Sequence, residues 1–467
     1  MVIFSVQIIL RNKNPVKTLT YIFALATLPF LGILIYIFFG QDYRKNKIFR
    51  KKYLLDNSKL RRWREEFKLS WEERKEFKEE FGDAIFKIYN LLRNNDRAVL
   101  SYDNDVRILV NGEEKFKELR KDLKNAHSHI HLEYFVIVDD VLGREIIKIL
   151  CEKSVEGVDV RIVYDDVGSS ISHKSKKELN KSGVELYPFM PVMFSNSTSK
   201  FNYRDHRKIV IIDGVIGYLG GINLEKKYDN TYNNLRYWRD THIKLTGSAV
   251  GSLQLSFLLS WDFVSKKELG IDQKLFPLDQ TPTLSPVAVQ IAASGPDTDW
   301  ASIMEALFAA INGAQDYVYI TTPYLVPNDQ IITALSTAAR SGVDVRIIIP
   351  YKSDSFWAQY ATDSYIEQLL KSEIKIYRYI KGFIHAKTMV IDDLFSTVGS
   401  ANLDYRSFGI NFEVNALLYS KQTALDLKDL FLMDLNSCEE VDLLRWQTRG
   451  IFRKIKESFS RLWGPLL

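Results

Sequence analysis

The sequence carries one charged pattern, His-x-Lys-x-x-x-x-Asp, at two places. Its members are His206, Lys208 and Asp213 in the first copy and His385, Lys387 and Asp392 in the second. Two imidazoles suit a double displacement at a phosphodiester, because one can attack phosphorus while the other protonates the leaving oxygen. The two lysines would offset the negative charge of such a substrate. With an unperturbed pKa of about 6.5, imidazole is available as a neutral nucleophile near pH 7.

Each motif is followed by a turn of small residues that ends in asparagine. The turn reads GGIN at 220–223 and GSAN at 399–402. Glycine lets the backbone approach a ligand closely, and Asn223, Asn402 and Ser400 would donate neutral hydrogen bonds to a bound phosphate. No cluster of carboxylates lies beside the motifs in the sequence, so we expect neither a metal ion nor another cofactor.

The segments upstream of the motifs are duplicated as well. GVDVR stands at 157–161 and again at 342–346, and nearly the same length of chain separates the two motif histidines. A near-constant offset indicates an internal duplication. Each half alternates apolar strands with amphipathic helices, which predicts an α/β sandwich. Each motif reads as a strand, on which the histidine and the lysine two positions later point to the same side.

Both motifs and their turns resemble those of the phospholipase D superfamily, over roughly residues 100–467. Further segments narrow the resemblance to bacterial cardiolipin synthases, and they lie at 14–17, 202–208, 237–240, 290–297 and 461–467. The resemblance implies two phospholipase D-like α/β halves packed about a pseudo-two-fold axis, with both histidines facing one phosphorus. It also implies transfer of a phosphatidyl group between two phosphatidylglycerol molecules, which gives cardiolipin and glycerol through a phosphohistidine.

The resemblance assigns the chemistry to the residues of the two motifs. His206 would be the nucleophile and His385 the general acid, while Asp213 and Asp392 would orient or charge-balance the His/Lys pairs. Asp205 departs from the family, which often has asparagine there, and its carboxylate would tune the neighbouring histidine. Two other functions fit the same motifs: a membrane phospholipase D that hydrolyses phospholipids to phosphatidic acid, and a catalytically inactive lipid-binding scaffold.

Other side chains near the motifs admit two interpretations each. Tyr134 and Tyr324 stand at matching positions of the repeat and either line the substrate site or fill the core. Glu413 either orients the histidine of the second motif or is a carboxylate at a strand edge. Arg239 and Asp240, adjacent in the sequence, would form an ion pair that lies near the site or is purely structural.

The run His127-Ser-His129-Ile-His131 places three histidines on one face of a strand, which would suit Zn²⁺. The repeat pairs them with Tyr317, Tyr319 and Thr321 of the second half, none of which is a typical metal ligand. Polar packing is therefore favoured over a metal site.

The N-terminal region predicts a membrane anchor within residues 1–40. Residues 18–40 form an uncharged stretch of 23 residues, long enough for a transmembrane helix. The preceding apolar stub, residues 2–10, would rise only about 14 Å as a helix and is an interfacial segment, a truncated span or a misassigned start. More basic residues follow the span than precede it, so the catalytic body should face the cytoplasm at the cell membrane.

The remaining chain divides into a basic, amphipathic membrane-proximal region at 41–100 and the two halves at 101–285 and 286–467. Residues 41–64 hold ten Lys/Arg and two Asp, which reflects either topology signalling or attraction to anionic phospholipid such as phosphatidylglycerol and cardiolipin. With 63 basic and 58 acidic residues, the whole chain shows no sign of a nucleic-acid partner.

The C-terminal segment predicts an amphipathic helix. Its apolar face comprises Ile451, Phe452, Ile455, Phe459, Leu462 and Trp463, surrounded by Arg449, Arg453, Lys454, Lys456 and Arg461. Such a helix either packs on the catalytic body or lies at a lipid interface. The sequence leaves the acceptor and the oligomeric state open.

Overall fold

The computed structural model describes residues 2–11, 15–30, 32–33, 69–95, 98–191, 202–277 and 286–464. Two helices open the chain, α1 (Val2–Arg11) and α2 (Pro15–Thr27), and they pack through Ile8 and Leu25. Within the described ranges, no helix is both long and apolar enough to cross a membrane. The transmembrane helix expected at 18–40 extends beyond these ranges at 34–40, and most of the basic region, 41–68, lies outside them.

The main body begins with helix α3 (Trp71–Asn95), and two α/β halves follow. The strands of the first half are β1 (Leu100–Val110), β2 (His129–Tyr134), β3 (Asp159–Asp165), β4 (Glu185–Phe189), β5 (Lys208–Ile212), β6 (Ile216–Gly220), β7 (Trp238–Arg239) and β8 (Thr241–Thr246). Its helices are α4 (Asn111–Lys124), α5 (Val141–Val155), α6 (His173–Lys181) and α7 (Ala249–Ser265). The first motif is therefore carried by β5, as the pattern of β-branched residues predicts.

The second half repeats this plan. Its strands are β9 (Val287–Ser294), β10 (Tyr317–Thr321), β11 (Leu325–Val326), β12 (Asp344–Pro350), β13 (Lys375–Tyr379), β14 (Phe383–Ile384), β15 (Thr388–Ile391), β16 (Phe395–Gly399), β17 (Leu403–Asp404), β18 (Glu413–Tyr419) and β19 (Cys438–Glu440). Its helices are α8 (Ser302–Gly313), α9 (Asp329–Arg340), α10 (Phe356–Leu370), α11 (Tyr405–Gly409), α12 (Lys421–Leu435), α13 (Leu443–Gln447) and α14 (Ile451–Leu462).

One sheet of fifteen strands runs through both halves of the described body. Equivalent strands of the two halves stand in mirrored order on either side of its centre. From the central junction the first half reads β1-β8-β6-β5-β2-β3-β4, and the second reads β9-β18-β16-β15-β10-β12-β13, with β19 added at that edge. Strands β1 and β9 join the halves as an antiparallel pair, with Leu100 opposite Gln290. This order expresses the expected pseudo-two-fold relation, and the predicted α/β class is confirmed.

Helices cover both faces of the sheet. On one face α7 and α12 share a core with the sheet, through residues such as Phe257 and Phe431. On the other face α4 and α5 cover the first half, and α3, α8, α9 and α10 cover the second. All five residues of β5 are buried as a result, which explains its unbroken run of aliphatic side chains after Lys208.

The motif aspartates stabilise the far ends of the motif strands. Asp213 has a φ of 55°, and its carboxylate accepts hydrogen bonds from the backbone N–H groups of residues 127–129 at 2.7–3.2 Å. Asp392 has a φ of 52° and accepts from the N–H groups of residues 315–317 at 2.7–3.0 Å. Each aspartate stands five positions after its motif lysine, about 16 Å along the strand. The expectation that they orient the His/Lys pairs is therefore wrong, because they hold the backbone where β2 and β10 begin.

These equivalent contacts also correct the sequence alignment of the two halves. Because Asp213 binds the N–H of His129 and Asp392 binds that of Tyr317, His129 at the start of β2 corresponds to Tyr317 at the start of β10. The matching of Tyr134 with Tyr324 is therefore wrong by two positions, and Tyr134 corresponds to Thr322.

Replacing Asp213 with alanine should destabilise the fold without removing a reacting group. Three N–H groups lose their acceptor and alanine disfavours a positive φ, so we expect the free energy of unfolding to fall by about 2–3 kcal/mol. Thermal denaturation should show a lower midpoint, and Asp213→Asn, which keeps one acceptor oxygen, a smaller decrease. An unchanged midpoint together with abolished turnover would instead place Asp213 in the chemistry.

Candidate active site

Two short backbone contacts bring the motifs of the halves together. In the first, the N–H of His206 donates to the carbonyl of Phe412 at 2.9 Å, directly before Glu413. In the second, β14 pairs with β7, and the N–H of His385 donates to the carbonyl of Arg239 at 2.7 Å, directly before Asp240. Each motif histidine is thus placed next to a carboxylate of the other half.

The two side-chain pairs follow from this arrangement. Nδ1 of His206 lies 2.9 Å and 3.0 Å from the carboxylate oxygens of Glu413, and Nδ1 of His385 lies 2.7 Å from Oδ2 of Asp240. An imidazole that donates its Nδ1–H to a carboxylate keeps Nε2 unprotonated and aimed outward. Both rings are therefore oriented for chemistry at Nε2.

The two carboxylates have different surroundings. Glu413 also accepts from the Ser400 hydroxyl and from the Asn411 amide, the latter at 3.3 Å. Gly221 occupies the place that corresponds to Ser400, and a Cβ there would lie 2.2 Å from Oδ1 of Asp240. The glycine is needed for the close approach of Asp240, so the second pair cannot have the supporting hydroxyl that the first pair has.

Because of these surroundings, the two carboxyl groups differ in pKa. Burial alone would raise the pKa of Glu413, but its contacts with His206, Lys208 and Ser400 lower that pKa below the usual value. Burial raises the pKa of Asp240 to about 6, against the opposing charge of Lys387. Glu413 is therefore the more firmly ionised of the two partners.

The motif lysines are buried beneath the histidines. The ammonium of Lys208 donates to the carbonyl of His206, and that of Lys387 donates to the carbonyl of His385 at 2.5 Å. Burial lowers the pKa of Lys208 to about 7 and that of Lys387 to about 8, although the carboxylate of Glu413 acts in the opposite direction. A phosphate anion between them would restore their charge, because an opposite charge favours the ionised form.

Burial also keeps the imidazoles neutral. It lowers the pKa of His206 to about 4, and it lowers that of His385 well below the usual value, to which the charge of Lys387 contributes. Phe135 packs its ring edge-on against His206 at 4.9 Å between centroids, and Trp238 lies 5.5 Å from His385. Near neutral pH both Nε2 atoms therefore carry a lone pair, one of which can attack phosphorus.

The two histidines line one cavity of about 330 Å³ between the halves. Asn223, Asn402 and Tyr324, all expected at the substrate, line it too. Other polar groups around it are Arg204, Lys227, Asp354, Asp404, Arg406 and Asn411. A cavity that combines two imidazoles, cations and amides suits a phosphodiester with a polar headgroup.

Three of the expected substrate contacts lie behind the cavity wall. Tyr134 is fully buried and its hydroxyl accepts a hydrogen bond from Nζ of the buried Lys115 at 2.9 Å, so the structure places it in the core. Ser400 and Glu413 are buried as well and act through His206. Glu413 thus contacts and orients His206, the histidine of the first motif. The sequence had suggested the histidine of the second motif.

Side-chain contacts bear on the expectations for Asp205 and for the three histidines at 127–131. Asp205 points away from the histidine side of the strand, next to Glu133 and Arg207, and burial together with Glu133 raises its pKa well above the usual value. It therefore does not contact His206. His129 and His131 both share the amide of Gln254, and the described residues contain no group of three potential metal ligands.

The sequence named Asp240 only as half of a suggested ion pair and did not reveal its contact with His385. Its neighbour Arg239 pairs with Asp434, so the suggested Arg239–Asp240 ion pair is replaced by two separate contacts. A signal was nevertheless present. The number of residues between matching positions of the two halves decreases slowly along the sequence. Asp240 and Glu413 fit this trend as a matching pair, and each follows the turn that comes after its motif.

Comparisons with known proteins agree with this geometry. Residues 119–244 and 307–435 match a family model described as "Cardiolipin synthase, PLD-like domain". A "Cardiolipin synthase 2" from Bacillus anthracis is 40% identical over 464 residues, which cover 98% of this chain and 88% of that protein. The chain belongs to the cardiolipin synthase family.

Other members of the cardiolipin synthase family match over the same length. The "Cardiolipin synthase" of Geobacillus sp. (strain WCH70) is 38% identical over 468 residues, covering 100% of this chain and 92% of that protein. Residues 1–41 match a model described as "Phospholipase_D-nuclease N-terminal". The phosphatidylserine synthase of Haemophilus influenzae Rd KW20 shares the fold, with a TM-score of 0.62 at 14% identity over 82% of this chain and 100% of that one.

Removing the charge of either orienting carboxylate should lower turnover with little effect on folding. In Glu413→Gln and Asp240→Asn the Nδ1–H loses its anionic acceptor and the tautomer is no longer fixed, so we expect kcat to fall about 10²–10⁴-fold. Steady-state kinetics and circular dichroism check this, with Asp434→Asn, the partner of Arg239, as the control. Loss of less than about threefold in both variants would contradict the orienting role.

The pH dependence should report the buried groups. His206 is neutral above its pKa of about 4, and Lys208 and Lys387 are charged only below their pKa values of about 7 and 8. His385, expected to be the general acid, must carry a proton, and burial lowers its pKa well below the usual value. We therefore expect kcat/KM for a short-chain, water-soluble phosphatidylglycerol to decrease from slightly acidic to alkaline pH, first as His385 and then as the lysines lose their protons. The fall in kcat should come at higher pH, because bound phosphate stabilises the charged lysines. A kcat/KM that stays constant from pH 6 to 9 would contradict this assignment.

Proposed function

We propose that this chain transfers a phosphatidyl group from one phosphatidylglycerol to the glycerol hydroxyl of a second, producing cardiolipin and free glycerol. The proposal is supported by two histidines that line one cavity, each of which contacts a carboxylate of the other half. His206 contacts Glu413, and His385 contacts Asp240. A group-transfer reaction needs a nucleophile that holds the phosphatidyl group and a second group that serves first the leaving and then the entering alcohol.

In the first step, Nε2 of His206 attacks phosphorus and forms a P–N bond, while the bond from phosphorus to the glycerol headgroup oxygen breaks. Protonated His385 gives its Nε2 proton to that oxygen, and glycerol leaves. Lys208 and Lys387 offset the charge that develops on the phosphoryl oxygens. The anionic substrate itself favours protonation of His385 when it binds, against the lowering of its pKa by burial.

In the second step, neutral His385 takes the proton from the terminal hydroxyl of a second phosphatidylglycerol. The alkoxide oxygen attacks phosphorus and the P–N bond to His206 breaks, which releases cardiolipin and restores both residues. Water at the same position would give phosphatidic acid. Transfer over hydrolysis therefore requires that the cavity hold the lipid alcohol. We assign that role to Asn223, Asn402 and Tyr324, because they line the cavity.

The unequal carboxylates support His206 as the nucleophile. Glu413, held ionised by its donors, stabilises the positive charge that His206 acquires in the phosphohistidine. Asp240, whose pKa is raised to about 6, is the weaker anionic partner and lets His385 release its proton more readily. The general acid needs this property.

The proposal extends to the membrane placement of the chain. We propose a membrane anchor at 1–40 with its transmembrane helix at 18–40, a membrane-proximal region at 41–100, halves at 101–285 and 286–467, and a catalytic body on the cytoplasmic side. The match of residues 1–41 to an N-terminal family model and the basic residues after the span support this placement. The substrate in that setting is anionic phospholipid of the same bilayer.

Full-length protein in vesicles of phosphatidylglycerol, with a chelator present, should form cardiolipin and glycerol in equal amounts. His206→Ala and His385→Ala should each lower the rate at least about 10³-fold, because each removes a reacting group. Lipid separation and a glycerol assay measure this outcome. Phosphatidic acid as the main product would make the protein a hydrolase, and substantial cardiolipin from either variant would exclude the two-histidine mechanism.

A nitrophenyl ester of phosphatidic acid distinguishes the two histidines in the same preparation. Nitrophenolate leaves without a general acid, so His385→Ala should release about one equivalent and stop as the phosphatidyl-enzyme. His206→Ala should release none. The reverse pattern would exchange the two roles.

A further inference from the structure

The C-terminal helix α14 packs on α10 through its polar side. Glu457 is buried between them and lies 2.9 Å from Nη2 of Arg449, which also contacts Glu367 at 3.3 Å. Arg453 lies 2.9 Å from Asp363 of α10. These ion pairs hold the charged side of the helix against the body.

The apolar side of α14 consequently faces outward. Phe452 is 80% exposed, Leu462 76%, Ile451 65% and Ile455 56%. A helix at the surface of a soluble domain normally has the opposite orientation, with its apolar stripe towards the core. A continuous exposed apolar surface of this kind marks a site of interaction.

The exposed surface continues onto the start of α10. Trp357 lies 6.2 Å from Phe459 between ring centroids, and Phe356 contacts both Trp357 at 5.4 Å and Tyr360 at 4.8 Å. We call the combined surface the aromatic face, and its members are Phe356, Trp357, Ile451, Phe452, Ile455, Phe459, Leu462 and Trp463.

The aromatic face begins at the rim of the catalytic cavity. Ser355 and Ala358, on either side of its first two members, both line that cavity. At the other end of α14, a Cβ on Gly464 would lie 3.1 Å from Val326, another residue of the cavity wall. The aromatic face is therefore contiguous with the wall of the cavity.

Cations flank the aromatic face. Lys456 extends over the ring of Tyr360 at 5.7 Å, and Lys454 lies on the other side of α14, where its ammonium donates to the carbonyl of Gln447. Lysines beside exposed aromatic residues can place their ammonium groups among anionic headgroups while their aliphatic chains lie on apolar surface. Two copies of the face would bring these lysines together, which disfavours self-association.

We infer that the aromatic face docks on the surface of an anionic bilayer and delivers lipid headgroups directly to the catalytic cavity. The inference rests on the proposed function, since it takes the substrate to be a bilayer lipid. It adds a second membrane contact to the N-terminal anchor, one that sets the orientation of the catalytic body.

The kinetic test compares two triple variants of the full-length protein. Phe452→Ser, Ile455→Ser and Leu462→Ser remove strongly exposed apolar groups, and Val141→Ser, Val155→Ser and Val167→Ser, also exposed, form the matched control. On phosphatidylglycerol vesicles the first variant should lose at least about tenfold in kcat/KM, and the control less than about twofold. Both should match the unmodified protein on a short-chain phosphatidylglycerol kept below its micelle concentration.

A direct binding test needs no turnover. A bimane label at Phe452→Cys, with Cys151→Ala and Cys438→Ala, should be strongly quenched by brominated acyl chains in proteoliposomes containing phosphatidylglycerol. The same label at Val155→Cys, 76% exposed in the unmodified chain, should not be quenched.

The outcomes separate the two proposals. If neither the unmodified protein nor any variant forms cardiolipin but the label at 452 is quenched, the proposed function fails and the docking surface stands. Absence of quenching at 452, or an unchanged kcat/KM of the triple variant on vesicles, overturns the docking inference. Cross-linking between copies through position 452 without quenching would show that a second copy of the chain covers the face, which also overturns it.

Discussion

The structure depends on one constraint, the crossing of the two histidine–carboxylate pairs. His206 reaches Glu413, and His385 reaches Asp240, so neither half contains a complete pair. A buried imidazole without an acceptor at Nδ1 would have no fixed tautomer. The backbone contacts from His206 to Phe412 and from His385 to Arg239 fix the distance over which both pairs form.

The mirrored strand order of the sheet supplies the framework on which the two histidine–carboxylate pairs form. Because β1 and β9 join the halves at the centre, the two motif strands lie at equal numbers of strands from the junction. The motif aspartates then hold the far ends of β5 and β15 to the starts of β2 and β10. Beneath the cavity, the charges of the two lysines and the two carboxylates offset each other. The contacts among these groups orient the donors before a phosphate anion binds.

The sequence predicted the strands and helices and singled out the motif side chains, because both are encoded locally. Runs of β-branched residues identified the motif strands, and the spacing of His and Lys placed both on one side. The contacts over long sequence separations could not be read in this way. Which carboxylate meets which histidine is decided by packing between the halves, and the spacing of Asp213 from His206 does not reveal that its carboxylate turns to the backbone of β2. The pairing of Tyr134 with Tyr324 was wrong because the number of residues between matching positions of the two halves changes along the chain. An error of two positions was enough to match a residue of the core with a residue of the cavity.

The Gly221/Ser400 difference has an evolutionary consequence. In a symmetric dimer of single-motif chains, the two-fold axis would make both crossed pairs identical, and any substitution would change both at once. Joining the copies in one chain removes that restriction. One pair could then acquire a hydroxyl beside a glutamate, and the other a glycine beside an aspartate. Gene fusion thus permits the two histidine–carboxylate pairs to diverge, which strict symmetry forbids.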